Sequence, residues 1–159
     1  QYMSPEITPR HKAIQYLAMR EHSYLELFRK LRQKGYEEAE IDLALAKLID
    51  DKLLSDERFG DAYVRSRVLK GIGPAKIRME LKEKGLNDYQ IEQSFCVNNI
   101  NWDEVIEKAW FKKYSILADD AAGKARQWRF FQSRGFTQSQ ISELFRRVNS
   151  LLLSCNDFD

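Results

Sequence analysis

A six-residue segment recurs three times in this 159-residue chain, each copy fifty residues after the previous one. Every copy begins with an apolar residue and ends with a basic residue, a glycine and a second apolar residue. The three copies are Leu31-Arg-Gln-Lys-Gly35-Tyr36, Leu81-Lys-Glu-Lys-Gly85-Leu86 and Phe131-Gln-Ser-Arg-Gly135-Phe136. A period of this length is typical of a tandem array, in which each unit is too small to bury its own apolar face and packs against its neighbour.

Each segment predicts the end of one helix and the start of the next. A glycine after a basic residue permits the left-handed conformation that closes many helices, and the cation stabilises that end of the helix dipole. We therefore expect a positive φ at Gly85 and helix ends near Lys34, Lys84 and Arg134. Capping-box spacing marks the helix starts at Ser23 with Glu26, Asn87 with Gln90 and Thr137 with Gln140.

Apolar residues at helical spacing fill the intervals between these signals. The clearest series are Tyr24, Leu27, Phe28 and Leu31, then Ile41, Ala44, Leu45 and Leu48. Further helices are predicted from about residue 13 to 20, from 56 to 70 and from 102 to 113, which gives nine helices in three triplets. The alternation of apolar and polar residues that is typical of strands does not occur.

The predicted fold is all-α, with three tandem three-helix repeats stacked into an elongated curved array. The repeats are expected at residues 11–54, 55–100 and 101–150. The flank at 1–10, whose order the sequence leaves open, precedes them, and a tail at 151–159 follows. A single compact helical bundle is the competing architecture.

The residue content argues against several functional classes. Cys96, Cys155, His11 and His22 are the cysteines and histidines of the chain, and their spacing fits neither a disulfide framework nor a zinc site. The segment Gly71-Ile-Gly-Pro lacks the rest of a phosphate-binding loop, and His22 is expected at the surface. We therefore expect a protein that is not an enzyme and holds no metal or cofactor. The absence of a long apolar segment or a signal segment favours the cytoplasm.

The net charge of +2 conceals alternating blocks of charge. Residues 37–57 carry −6, 58–82 carry +5, 83–107 carry −5 and 108–147 carry +6. Such blocks favour separate basic and acidic faces that would suit a partner with its own charge pattern, although charges that merely solvate the outer helix faces are the simpler explanation.

Two adjacent motifs stand out in the central part of the chain. They are Asp56-Glu-Arg58-Phe59-Gly-Asp-Ala-Tyr63-Val64-Arg65-Ser-Arg67 and, after it, Gly71-Ile-Gly73-Pro74-Ala-Lys-Ile77-Arg78. Together they resemble the central repeat of the RecX family. The resemblance extends over nearly all of residues 11 to 149. The resemblance implies a regulator that lodges in the groove of the RecA filament on single-stranded DNA. Filament growth, ATP hydrolysis, strand exchange and repressor cleavage would then be inhibited, which would modulate DNA repair and the SOS response. We expect the protein to be monomeric.

The residues that match the basic central motif of the family are the predicted partner-binding residues. They are Arg58, Arg65, Arg67, Lys70, Lys76 and Arg78. The expected partner is the RecA filament, with single-stranded DNA contacted indirectly or weakly and no membrane involved. Arg67 and Lys70 lie near a helix end, where stabilisation of the dipole alone could explain them. Arg78 could either lay its stem along the core edge or project towards a partner.

Other functions compete with this interpretation. A basic central segment among helices is also compatible with a direct DNA-binding protein of helix-turn-helix type. The acidic blocks on either side argue against it, because they would repel phosphate. A nucleic-acid enzyme would need carboxylate or histidine groupings that the sequence does not offer, and a helical scaffold for another partner stays open.

Overall fold

The structure is a computed structural model that describes residues 7–156, without the side chains of residues 152, 153, 155 and 156. These residues form nine α-helices and no strand. The helices are α1 (Pro9–Met19), α2 (Tyr24–Gln33), α3 (Glu38–Asp50), α4 (Asp56–Leu69), α5 (Pro74–Glu83), α6 (Asp88–Asn98), α7 (Trp102–Lys113), α8 (Ala121–Ser133) and α9 (Gln138–Asn156). The predicted all-α repeat fold is confirmed, with three helices in each repeat.

Two helices extend beyond their predicted bounds. Helix α1 begins at Pro9, because the Thr8 side chain accepts the N–H of His11 (3.1 Å) and proline suits the first helical position. Helix α9 continues to Asn156, past residue 150, because no glycine or proline interrupts it. The order of residues 1–6 lies outside the described part of the chain.

The three recurrent segments end their helices in the same way. The glycines have φ of +96° at Gly35, +92° at Gly85 and +89° at Gly135, which confirms the expectation for Gly85. After each glycine, an N–H donates to the carbonyl five residues earlier: Tyr36 to Leu31 (3.2 Å), Leu86 to Leu81 (3.1 Å) and Phe136 to Phe131 (3.1 Å). The carbonyls left unpaired at the helix end are thereby satisfied.

The predicted capping boxes are present as well. Each capping side chain accepts the N–H of the residue three positions later, and that residue's side chain accepts the N–H of the cap. The pairs are Ser23 with Glu26, Asn87 with Gln90 and Thr137 with Gln140. The local signals of the sequence therefore act where they were expected.

The chain divides into two compact units. Unit 1 contains the described residues up to Tyr63 together with Leu81–Val97, and unit 2 contains Val64–Glu80 together with the described residues from Asn98 onward. The middle repeat thus contributes residues to both units. In unit 1, helix α1 packs against α2 and α3. The buried core there consists of Ala13, Leu27, Leu31, Ile41, Leu45, Leu48 and Leu54, which includes most of the predicted apolar series.

The core of unit 2 combines aromatic and aliphatic residues. Trp110 is buried and its ring lies 6.1 Å from that of Phe131 and 6.0 Å from that of Phe145. Helix α9 packs against both α7 and α8. The turn before α5 is held by backbone hydrogen bonds, because the N–H of Gly73 donates to the carbonyl of Arg134 (2.7 Å) and that of Ala75 to Gly135 (3.0 Å). These bonds fix the approach of α5 to the end of α8.

Candidate partner-binding surface

The structure divides the six predicted cations between the two units. Arg58 belongs to unit 1, and the other five belong to unit 2. Arg58 lies in the first turn of α4, and its Nε donates to Oε1 of Glu21 at 3.0 Å. This ion pair is half-exposed, and it partly neutralises the charge of Arg58 within unit 1.

Arg67 forms a two-pronged ion pair rather than a solvated charge. Its Nε lies 3.0 Å from Oε1 of Glu80, and its Nη2 lies 2.8 Å from Oε2. The two side chains are only 21% and 18% exposed, so water screens the pair weakly. Because Arg67 is on α4 and Glu80 is on α5, the pair holds these two helices together within unit 2. The pair therefore gives Arg67 a structural role.

Lys76 and Arg78 both lie on α5. The backbone of Lys76 packs closely on Gly135, since a Cβ built on that glycine would lie 2.5 Å from the Lys76 nitrogen. The Lys76 side chain is half-buried, whereas Arg78 is exposed. Both arrangements predicted for Arg78 place its guanidinium at the surface, so its exposure agrees with either one.

Arg65 and Lys70 line a cleft of about 880 Å³ that belongs entirely to unit 2. We call it the basic cleft. Its cationic residues are Arg65, Lys70, Lys108, Lys112, Lys113 and Arg134, and Glu104 is the one acidic residue in its lining. Its apolar residues are Val68, Leu69, Ile100, Val105, Ala109 and Phe130. Six cations against one carboxylate make this surface strongly attractive to anions.

Local structure explains how the basic cleft is built. Gly71 ends the α4 segment with φ of +75°, and a Cβ on it would lie 3.4 Å from Cβ of Ala109. The end of α4 is therefore in close contact with α7. Lys108 and Lys112 are four residues apart on α7, so they lie on one face of that helix. The Asn101 side chain caps α7 by accepting the N–H of Glu104 at 3.3 Å.

Phe130 holds two of these cations in place. The Lys113 ammonium lies 5.2 Å from the centre of its ring, and the Arg134 guanidinium lies 5.0 Å from it. The Phe130 ring also packs against Tyr114 in a T-shaped arrangement, with 5.5 Å between the ring centres. Cation–π attraction of this kind restrains side chains that would otherwise be mobile.

Three family models match this chain in order along its length. They describe the first three-helix domain of RecX at residues 10–48, the second at 55–94 and the third at 103–145. The chain belongs to the RecX family.

Relatives in this family are named as regulatory proteins. The chain is 40% identical to the regulatory protein RecX of Pseudomonas putida (strain W619), over 87% of this chain and 89% of the relative. Identity is also 40% to that of Pseudomonas fluorescens (strain SBW25), over 87% and 90%. The resemblance to RecX in the central motif is thus confirmed, and the chain is a regulatory protein of the RecX family. Its relatives carry names of regulators, not of enzymes.

Solved RecX structures share the fold. The crystal structure of RecX from Lactobacillus salivarius superposes with a TM-score of 0.68 at 23% identity, over 89% of this chain and 94% of that one. A second crystal structure of regulatory protein RecX gives a TM-score of 0.71 at 20% identity, over 87% and 73%. At these identities the structures support the helical repeat fold and nothing finer.

Four of the six cations in the basic cleft were not predicted from the sequence as partner-binding residues. They are Lys108, Lys112, Lys113 and Arg134. A signal for them exists, since all four lie in the block of residues 108–147 that carries +6. Their convergence with Arg65 and Lys70 depends on the packing of α7 beside the end of α4, which charge counting does not reveal.

His22 in unit 1 is buried, so the expectation of a surface histidine was wrong. It is 1% exposed, and its Nδ1 lies 3.0 Å from the carbonyl of Arg20 while its Nε2 lies 2.8 Å from Nζ of Lys30. A carbonyl only accepts, so Nδ1 carries the proton and Nε2 accepts from the ammonium. Burial lowers the pKa of His22, and the charges of Arg20 and Lys30 lower it further.

Glu26 anchors the charges around His22. Burial alone would raise its pKa, but hydrogen bonds from Arg20 and from the backbone of Ser23, with the charge of Lys84, lower the pKa to about 2. Lys84 Nζ lies 3.2 Å from the carboxylate, and Arg20 Nη2 lies 2.9 Å from it. This network connects the start of α2 to the end of α5 and is structural in character.

The described residues offer no grouping of three or more histidine, cysteine, aspartate or glutamate side chains that could hold a metal ion. Between residues 7 and 156, none of the helices combines the length and the apolar character needed to cross a membrane.

Proposed function

We propose that this protein binds in the groove of the RecA filament on single-stranded DNA and inhibits the filament there. In this proposal it limits filament growth, ATP hydrolysis, strand exchange and the coprotease activity of RecA, and so modulates DNA repair and the SOS response. It acts by contact and performs no chemistry itself. Membership of the RecX family supports a regulatory role, and the basic cleft is the surface at which we expect the filament to bind.

The basic cleft supports this proposal because two residues of the RecX-like motif line it. Arg65 and Lys70 are exposed, and no ion pair involves either of them within residues 7–156. Arg58 and Arg67, by contrast, already have carboxylate partners. Close charge pairs across an interface can contribute about 2 to 5 kcal/mol to affinity, so the charges without partners are those that a filament would engage.

The test is the rate of single-strand-dependent ATP hydrolysis by RecA. The wild-type protein is expected to slow hydrolysis at amounts well below one molecule per RecA, because one molecule in the groove can block a filament end or a run of subunits. The variant Arg65→Glu, Lys70→Glu is expected to bind filaments about tenfold or more weakly, with less dependence on salt. Its melting should change little, since exposed substitutions usually cost no more than about 0.5 kcal/mol.

A matched control reverses two other cations of unit 2. Lys124 and Arg129 are exposed on α8 and do not line the basic cleft. Lys124→Glu, Arg129→Glu makes the same change in net charge, so it should inhibit RecA as the wild type does. Equal loss of inhibition in both variants would mean that net charge alone matters. Loss of binding to bare DNA with unchanged filament binding would favour the direct DNA-binding function, and strict one-to-one titration would contradict the proposed mechanism.

A further inference from the structure

The basic cleft combines uncompensated charge with apolar lining residues, and we call these residues its apolar floor. Across the described residues, Arg65, Lys70, Lys108 and Lys112 form no ion pair, although ion pairs occur at many other cations of the chain. Like charges gathered at one site repel each other, so the site is stabilised when an anion enters it. Glu104 offsets only a fraction of this charge.

The floor of the cleft is aliphatic for the most part. Val68, Ile100, Val105 and Ala109 contribute to it, and Leu69 beside them is 84% exposed. An isolated exposed leucine is common on protein surfaces, but this one lies next to other apolar side chains in a concave site. Burial of such a side chain removes apolar surface from water, so an occupant with apolar groups gains affinity that a simple anion does not.

The aromatic content of the cleft bears on which kind of polymer fits. Single-stranded nucleic acid is bound by cations together with aromatic rings on which bases stack. Phe130 is the one aromatic residue of the lining, and its ring already contacts Lys113, Arg134 and Tyr114. A single ring with these contacts is a poor platform for successive bases, whereas the aliphatic lining suits amino-acid side chains.

We propose that the basic cleft binds an acidic peptide segment of a partner protein, one that places an apolar side chain against Leu69 and Val105 while its carboxylates meet the surrounding cations. The volume of about 880 Å³ lies within the range of sites that enclose a small ligand or a few residues of a peptide. This inference concerns the chemistry of the occupant and does not require that the partner be RecA.

The probe is a short fluorescein-labelled peptide of Asp and Glu residues with Phe and Leu between them, measured by fluorescence anisotropy on the full chain. A second peptide has Ser in place of each Phe and Leu, and a third probe is labelled oligo(dT). The acidic apolar peptide is expected to bind with affinity that falls as salt rises, and about tenfold or more tightly than the Ser peptide, since about 1.4 kcal/mol of apolar burial corresponds to that factor.

Variants separate the contribution of the cations to peptide binding from that of the apolar side chains. Lys108→Glu, Lys112→Glu removes the charge and should weaken peptide binding by about tenfold or more, whereas Lys124→Glu, Arg129→Glu should not. Leu69→Asn should bring the affinity for the apolar peptide down to that for the Ser peptide. Its control is Ile116→Asn, an exposed apolar residue of unit 2 outside the cleft. Circular dichroism shows whether each variant is folded.

Three results would overturn the inference. Equal affinity for the two peptides would show that only charge is recognised. Insensitivity of peptide binding to Leu69→Asn would remove the apolar floor from the site. Oligo(dT) that binds more tightly than the peptide and loses affinity in Lys108→Glu, Lys112→Glu would make the cleft a nucleic-acid site. Failure of RecA inhibition alone would leave the peptide result unaffected, so the two proposals fail separately.

Discussion

Alanine at Gly35 and at Gly135 should destabilise the protein to very different degrees, although the two residues have the same role. They end α2 and α8 with φ of +96° and +89°, and both precede an apolar residue that closes the helix. A Cβ on Gly35 meets nothing within 4 Å. A Cβ on Gly135 would lie 2.3 Å from Cβ of Lys76 and 2.5 Å from its backbone nitrogen. Backbone strain is thus common to both sites, and the steric clash is confined to one.

The magnitudes follow from these two contributions. Left-handed backbone costs alanine about 1 to 2 kcal/mol, and the lower entropy of the unfolded chain returns about 0.4 to 1 kcal/mol, so Gly35→Ala should cost about 1 kcal/mol. Gly135→Ala adds overpacking of about 1 to 3 kcal/mol. Any retreat of Lys76 also loosens the hydrogen bonds that Gly73 and Ala75 donate, each worth about 0.5 to 1.5 kcal/mol. A cost of about 3 kcal/mol or more is expected for Gly135→Ala.

Urea denaturation can resolve the difference, because the three tryptophans of the chain, Trp102, Trp110 and Trp128, all belong to unit 2. Tryptophan fluorescence therefore reports on unit 2, where Gly135 lies, and far-ultraviolet circular dichroism follows both units. Gly135→Ala should lower the midpoint of the fluorescence transition strongly, and Gly35→Ala should lower the midpoint of the dichroism transition only by the equivalent of about 1 kcal/mol. Similar losses in the two variants would refute the reasoning, since the close contact with Lys76 would then relax without cost.

Two further predictions concern charged groups. A double-mutant cycle of Arg67→Ala and Glu80→Ala should give a coupling energy of about 1 to 2 kcal/mol in urea denaturation, above the usual value for exposed pairs. A coupling energy near zero would mean that this ion pair does not stabilise the fold. Because the pKa of His22 is lowered in the folded protein, stability is full above pH 6.5 and falls as the pH drops from 6.5 through the folded pKa. His22→Gln should remove this pH dependence. It should keep the separate loss of stability between pH 4.5 and about 2 that comes from Glu26, and thermal melts across pH measure both effects.

The helix boundaries could be predicted because their determinants are local. A capping side chain and the N–H that it accepts are three residues apart, and the glycine that ends a helix lies beside the residue that closes it. The pairs Asn87 with Gln90 and Thr137 with Gln140 contain all the atoms of their hydrogen bonds, so reading the sequence identifies them. A fifty-residue repeat then shows how often the same local structure recurs.

The environment of His22 could not be predicted in this way. Its sequence neighbours are polar, and the Ser23 cap beside it is a feature normally found at the surface. Its burial depends on α1 and α2 packing together, with the Tyr16 ring 5.9 Å away and Lys30 at hydrogen-bond distance. Those contacts come from residues six and eight positions distant on different helices, and no window of helical periodicity records them.

The candidate site was predicted in part, and the reason lies in how the charges are paired. Arg67 and Lys70 look alike in the sequence, three residues apart near one helix end, yet Arg67 pairs with Glu80 and Lys70 lines the basic cleft. Arg58 likewise pairs with Glu21. The net charge of +5 over residues 58–82 already includes Glu80 but not Glu21 or Asp88. Because these two carboxylates pair with Arg58 and Lys82, the value of +5 overstates the charge that is available to a partner.

The basic cleft is instead formed where two basic blocks meet, and this has a consequence for its mutants. Residues 58–82 contribute Arg65 and Lys70, whereas residues 108–147 contribute the other four cations. Reversing only the first pair leaves most of the cationic lining and the whole apolar floor in place. Arg65→Glu, Lys70→Glu should accordingly weaken binding of an acidic partner and leave it measurable at low salt, while adding Lys108→Glu and Lys112→Glu should abolish it. If the first pair alone abolished binding at low salt, the second block would contribute nothing, and the cleft would not act as one site.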